Sequence, residues 1–422
     1  MTTLTRRTAL ALPAALALPA IPRAQGAVEI TVHYAQPHIF KASFDAIIEA
    51  FARREPGIRI TTVTSPNYEE GAQLILRQAA TNQLPDLSYQ GFNRLRLFTE
   101  RRIAQDLAPF LAREGAAEAG YTPAILGLGV AGGIQAGLPY AASNPITYYN
   151  ADLARRAGQD ADAFPSSWDA VFAWGRAVRE RTEADGFYLN VGGDDWMFQA
   201  LVFGHGGRMM REDESDIAFD GPEGLAALTL LDRMVKEGGM PNLGMTGSQQ
   251  AFVAGRLAAT MRSTAVLRNI IQSVGRNFEL RTTAMPVINA ERGRLPTGGA
   301  AGMITARDEA KREAAWKFLR FSTSAEGTAI MVINTGYVPC NQIAIDDPRW
   351  LAEFYRENPL FLAATRQLPI SVPWFAFPGP NGVRITQAIV NNQQRILEQR
   401  ATPAEALRDM AAEVRRLLPR RS

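Results

Sequence analysis

The chain has 422 residues, 46% of them hydrophobic and 21% charged, with 45 Lys and Arg against 42 Asp and Glu. That length suffices for two cores at roughly 100–200 residues per domain. The near balance of charge, with no basic tract, excludes the usual electrostatic footprint of a nucleic-acid or anionic-membrane binder.

In chain order, residues 1–26 read first as a cleavable signal peptide. Arg6-Arg7 precedes an apolar stretch from Ala9 to Ile21, and small residues surround Arg23-Ala24-Gln25-Gly26. A positive start, a short apolar core and a small-residue break make an export signal. Pro13 and Pro19 interrupt the core, which is shorter than the ~20 residues of a spanning helix. The paired arginines fit a twin-arginine signal, and the same residues also fit an ordinary Sec signal. Loss of this segment would lower the basic count from 45 to 42, equal to the acids, since it holds Arg6, Arg7 and Arg23 and no carboxylate. Cys340 is the only cysteine, so no internal disulfide is expected, and no cysteine stands at the cleavage region to carry a lipid. The expectation is a soluble periplasmic protein.

Val28, Ile30 and Val32 alternate with polar residues and predict a strand. Phe44, Ile47, Ile48 and Phe51 predict one face of a helix that Pro56-Gly57 ends. Ile58 to Val63 reads as a second strand, Asn67 to Ala80 as a second helix, and Leu87-Ser88-Tyr89 as a third strand. This alternation predicts parallel βαβ units. Ser166 or Ser167 is placed to cap a helix through Trp168, Val171 and Phe172. From about Asn150 to Leu280 the pattern is more helical, with glycine-rich breaks at Gly192-Gly193 and Gly204 to Gly207. Thr402-Pro403-Ala404-Glu405 is a capping box opening a last helix through Leu407, Met410, Val414 and Leu417. Two α/β lobes are expected.

Signals of catalysis are weak. Gly127-Leu128-Gly129-Val130-Ala131-Gly132 has the three-glycine spacing of a dinucleotide loop, which must open a helix. Gly133, Gly137 and Pro139 leave no room for that helix, so a glycine-rich hairpin is expected. His33, His38 and His205 are too few and scattered for a zinc site. His33 and His38, both near the end of the first strand, keep a metal alternative beside the reading of a hydrogen-bonded histidine at a cleft rim. Asp194-Asp195, in a glycine-flanked loop, read as solvated acids. Without an activated nucleophile or an acid–base pair, no catalytic residue, metal or cofactor is expected, and the chain is read as not an enzyme.

Three segments carry a resemblance. The first runs Leu138-Pro139-Tyr140-Ala141-Ala142-Ser143-Asn144-Pro145-Ile146-Thr147-Tyr148-Tyr149-Asn150. The second is Gly298-Gly299-Ala300, then Trp316-Lys317-Phe318-Leu319 and Thr335-Gly336-Tyr337-Val338-Pro339. The third is Thr365-Arg366-Gln367-Leu368 with Gly382-Val383-Arg384 and the capped last helix. In this order they resemble the extracellular solute-binding proteins of bacterial ABC importers, and the Arg-Gln and Gly-x-Arg elements resemble their glycerol-3-phosphate-binding branch.

The resemblance implies a two-lobed α/β periplasmic-binding-protein fold of type II, with hinge crossovers and a ligand cleft between the lobes. Lobe I would comprise residues 27–142 and about 297–340, and lobe II about 143–296 and 341–422. It carries ligand contacts onto Tyr68, Ser143, Trp196, Ser263 (or Thr264 in the neighbouring register), Gly299, Tyr337 and Arg384, the last as the planar fork for a phosphate. The branch's glutamate after the third strand is missing from Gln90-Gly91-Phe92-Asn93, where Gln90 or Asn93 would have to replace it. Each residue also has a packing reading, since Tyr and Trp commonly fill cores, Gly298-Gly299 can form a turn and Arg384 can be a surface charge. The implied role is capture of glycerol-3-phosphate or a related glycerophosphodiester by a monomer that delivers it to ABC permease subunits in the inner membrane. A sugar or polyol binder of the same fold is the alternative, and a periplasmic phosphodiesterase is the alternative from another class.

Overall fold

Residues 27–419 are described by a computed structural model; the leader expected over residues 1–26 lies outside them. The first three strands pair as their alternation predicts. β1 (Val28–Ala35) lies between β2 (Ile58–Ser65) and β3 (Leu87–Gly91), all parallel, with Val28 opposite Ile58 and Val32 opposite Leu87. Helix α1 (Pro37–Arg54) joins β1 to β2 and buries Phe40, Phe44, Ile47 and Phe51 along one stripe. The Phe44 ring stacks on Tyr34 at 4.2 Å and meets Tyr89 at 4.9 Å and Tyr140 at 5.2 Å, an aromatic knot that fixes this helix on the sheet. Helix α2 (Tyr68–Ala80) follows, its first turn held by Asn67, whose side chain accepts from the Glu70 N–H at 2.8 Å.

β4 (Val130–Ala131) and β5 (Ile134–Gln135) form a two-residue hairpin around Gly132 and Gly133, at φ 58° and 79°. Two consecutive positive φ values are what such a turn demands, so the three-glycine segment makes a hairpin. β6 (Leu138–Ser143) runs back into the first sheet. After Asn144 the chain enters a second sheet through β7 (Pro145–Asn150). That sheet adds β8 (Asp185–Leu189), β9 (Leu257–Ser263) and β10 (Leu280–Ala284) in the order β10-β7-β9-β8. β11 (Leu295–Ile304) returns to the first sheet between β3 and β6, antiparallel to both. β12 (Ser371–Pro373) pairs in parallel with its first residues. The chain therefore passes between the sheets at Asn144, between β10 and β11, and again between Leu351, in the first sheet's core, and Phe361, in the second's.

Each sheet has its own core. The first gathers Phe44, Tyr140, Trp316 and Phe318, and the second Tyr148, Phe172, Phe187 and Phe198 together with Met410 and Val414 of the last helix. That helix, Pro403–Leu417, opens with the expected capping box: Thr402 N–H donates to the Glu405 carboxylate at 2.9 Å, and Thr402 Oγ1 accepts from Glu405 N–H at 3.3 Å. The helix Trp168–Arg181 departs from expectation, because Ser167 stands at its N-cap without a side-chain bond. No helix among the described residues is long and apolar enough to cross a membrane.

Candidate functional site

Residues carried by both sheets wall a cavity of about 750 Å³. From the first sheet's side come two tyrosines. Tyr68 opens α2, and Tyr337 follows the helix Ala325–Asn334, where its N–H donates to Thr335 Oγ1 at 3.1 Å. The Tyr337 ring stacks on Phe40 at 4.9 Å, so the packed face of α1 positions it. Its hydroxyl lies 3.4 Å from both the Tyr68 hydroxyl and Gln36 Oε1. Burial pushes both phenols above their ordinary range, which keeps them neutral hydrogen-bonders. Gln36 caps α1 in the left-handed region at φ 57°, a conformation a glutamine adopts only where its surroundings hold it.

The floor is β11. Gly299 has φ 129°, and a Cβ there would lie 1.9 Å from the Ala141 carbonyl oxygen, so only glycine fits. A Cβ on Gly298 would press on Ser143 Oγ at 2.8 Å and on the Trp196 ring at 3.2 Å. The glycine pair thus lets a serine and a tryptophan close on the strand. Ser143 faces Gly298 across the β6–β11 ladder. Trp196 is pinned by its indole N–H, which donates to Pro296 O at 3.1 Å, and its ring lies 6.3 Å from that of Trp374.

The opposite wall is the second sheet. Ser263 ends β9, and its Oγ accepts from Ala265 N–H at 3.1 Å, capping the turn that follows. Arg262 and Asn190 line the same wall. The Asp194-Asp195 pair is not the solvated pair expected, since Asp195 is interior and Asp194 only partly exposed. Asp195 is buried and accepts from the Trp374 indole at 3.1 Å and from Gln199 at 2.9 Å. Asp194 lines the cavity and accepts from Trp196 N–H at 2.9 Å. Desolvation, then the neighbouring Asp195 charge, pushes its carboxyl up to about 7.

Six of the residues singled out from sequence, Tyr68, Ser143, Trp196, Ser263, Gly299 and Tyr337, line this one cavity. Four others are elsewhere. Gln90 is buried outside the lining, donating to Ser88 at 2.9 Å, as are Asn93 and Thr264. Arg384 is exposed on the first turn of the helix Gly382–Leu397, because that helix turns Ile385, Thr386, Ala388 and Ile389 inward. The buried guanidinium next to this segment belongs to Arg94, which is paired with Glu69 and donates to Thr386 Oγ1 at 3.1 Å. The histidines divide. His38 lines the cavity, whereas His33 is interior, with Nδ1 2.9 Å from Ser88 Oγ and Nε2 3.1 Å from Ser65 Oγ. Burial pushes the His33 pKa down to about 4. Sequence reasoning missed Gln36, Asn190, Arg262 and Trp374. Only Arg262 left a signal, as the one charge in the otherwise apolar and hydroxyl-bearing strand Leu257–Ser263.

A family model described as bacterial extracellular solute-binding protein matches residues 46–361. The sn-glycerol-3-phosphate-binding periplasmic protein UgpB of Escherichia coli (strain K12) is 25% identical over 293 residues, and the match spans 65% of this chain and 65% of that relative's length. Its counterpart in Salmonella typhimurium is 24% identical over 385 residues, 86% of each. Among solved structures, UgpB from Mycobacterium tuberculosis in complex with glycerophosphocholine superposes with a TM-score of 0.82 at 23% identity, covering 93% of this chain and 98% of that one. The GacH receptor of Streptomyces glaucescens, solved unliganded and with acarbose, gives 0.81 at 18% identity, with coverage of 93% and 98%. These likenesses establish a common two-lobed fold.

Proposed function

Since this chain belongs to the bacterial extracellular solute-binding proteins and has their two-lobed type II fold, we propose that it is the periplasmic substrate-binding component of an ABC importer. In this reading it captures glycerol-3-phosphate or a related glycerophosphodiester and delivers it to permease subunits of the inner membrane. It is exported by the leader at residues 1–26 and works as a monomer, with residues 27–142 and about 297–351 as one lobe, extended past the expected bound at 340 because Ala344 and Leu351 pack in the first sheet's core, and the remainder as the other. No bond is made or broken. The solute enters between the lobes, takes hydrogen bonds from Tyr68, Ser143, Tyr337 and the backbone at Gly299, and lays its carbon face on Trp196. Rotation at the three crossings then closes the cleft.

The observation that supports this most is the convergence of those five positions and Ser263, scattered over 270 residues of chain, on one cavity of about 750 Å³. That volume is within the roughly 300–1,000 Å³ usual for small-molecule sites. A sugar is the second reading, favoured by Trp196 and Trp374 lining the same cavity with ring centroids 6.3 Å apart. Titration calorimetry separates the two. Binding of glycerol-3-phosphate or glycerophosphocholine, with none of maltose, is expected, and maltose binding alone moves the chain to the sugar branch. Release of choline from glycerophosphocholine by the purified protein would replace transport with phosphodiester hydrolysis.

A further inference from the structure

Two arginines among the described residues are almost wholly buried. Arg94, 3% exposed, has Glu69 and Thr386 as partners. Arg262, 4% exposed, has none: it makes no hydrogen bond or ion pair among the described residues, and its Nε and Nη1 are buried without an acceptor. It sits on β9, which is paired on both edges, to β7 and β8, and it stands opposite Ile146. A buried, unpaired guanidinium costs several kcal/mol, and a central strand is the last place a fold would put one for packing.

The surroundings do not relieve it. The nearby Tyr148 hydroxyl donates to Ser263 O at 2.8 Å, and that of Tyr188 to Val191 O at 3.5 Å. Asp194, the one carboxylate lining the cavity among the described residues, accepts from Trp196 N–H at 2.9 Å and makes no ion pair with Arg262. Arg262 nevertheless lines the cavity, together with Asn190, whose Oδ1 is also buried without a partner.

We infer that Arg262 is the anion anchor of the cleft: the guanidinium that receives the phosphate or carboxylate oxygens of the solute. This rests on the cavity being the ligand site proposed above. The missing counter-ion is then supplied by the ligand. Two N–H donors on one planar group meet two anionic oxygens, and the hydrogen bonds are charge-assisted in a site shielded from water. Asn190 Oδ1 remains to accept from a solute hydroxyl.

The test is calorimetry on the purified full chain and on Arg262→Met and Arg262→Lys, with five probes: glycerol-3-phosphate, glycerophosphocholine, galacturonate, glycerol and maltose. Arg262→Met should weaken any anionic probe that the wild type binds by roughly ten- to a hundredfold. Arg262→Lys should recover part of that, since an ammonium keeps the charge without the fork. Affinity for a neutral probe should stay within about threefold. Without ligand, the thermal midpoint of Arg262→Met should equal or exceed that of wild type, because the change removes a stranded charge from the interior. Phosphorylated probes that bind wild type and Arg262→Met equally overturn the inference and leave the proposed function standing. Galacturonate binding that depends on Arg262, with no phosphorylated probe bound, supports the inference and removes the glycerol-phosphate reading. Failure of the wild type to bind any anionic probe overturns both.

Discussion

His33 and Asp194 carry opposite pH signatures. His33 is held neutral between Ser65 and Ser88, its pKa pushed down to about 4, whereas an unfolded histidine takes its proton near 6.5. Its contribution to stability is therefore complete above about pH 6.5 and is lost as pH falls towards 4, amounting to roughly 3 kcal/mol. Asp194, raised to about 7 against ~3.9 when unfolded, does the reverse: its ionisation weakens the fold as pH rises from about 4 to 7. Relative to wild type, His33→Gln should lose stability progressively as pH rises from 4 to 6.5. Asp194→Asn should gain it between 4 and 7. Urea denaturation at half-unit pH steps checks both, and profiles parallel to wild type would contradict the assignments. The same residues show what sequence can carry. Tyr68, Ser143, Gly299 and Tyr337 lie in the segments that carry the family resemblance, and that resemblance, not a local rule, is what pointed to their meeting in one cavity. Arg262 and Asp194 owe their character to what lies around them in space, an absent partner in one case and desolvation in the other, and beyond the lone charge in the strand Leu257–Ser263 no local pattern encodes either.

Among the elements, those set by local rules formed as predicted. Alternation gave β1 and β2, the apolar stripe gave α1, and the glycine pair gave the β4–β5 hairpin. The capping box of the last helix is the most self-contained case, because both of its bonds join Thr402 to Glu405. Thr402→Ala should lower stability by about 1 kcal/mol, read as a lower urea midpoint at unchanged m-value; an unchanged midpoint would mean the box is redundant with the packing of Leu407 and Met410. Where a tertiary neighbour decides, local reasoning fell short. Ser167 has the right residue type for a cap yet makes no such bond. Arg384 occupies a recognisable segment, but the inward stripe of its helix turns it to solvent.

At the level of the whole molecule, the two sheets were legible in kind but not in wiring. Sequence alternation foretells βαβ units, whereas the return of β11 to lie between β3 and β6 is a long-range event. Tyr89 pairs with Gly302, and Leu138 pairs with the same residue from the other edge. The first sheet consequently has an open slot until residue 304 exists, however well its amino-terminal strands have formed. Pairings so distant in sequence must close a large loop before any contact rewards them, which slows folding to roughly milliseconds to seconds or longer. Stopped-flow refolding should show this as a slow phase in tryptophan fluorescence, with Trp316 reporting the first sheet's core. Under the proposed export, that delay would suit the ordinary Sec route and oppose the twin-arginine one: a nascent polypeptide that cannot close its first sheet early stays threadable, whereas a route for finished bodies would have to wait for β11.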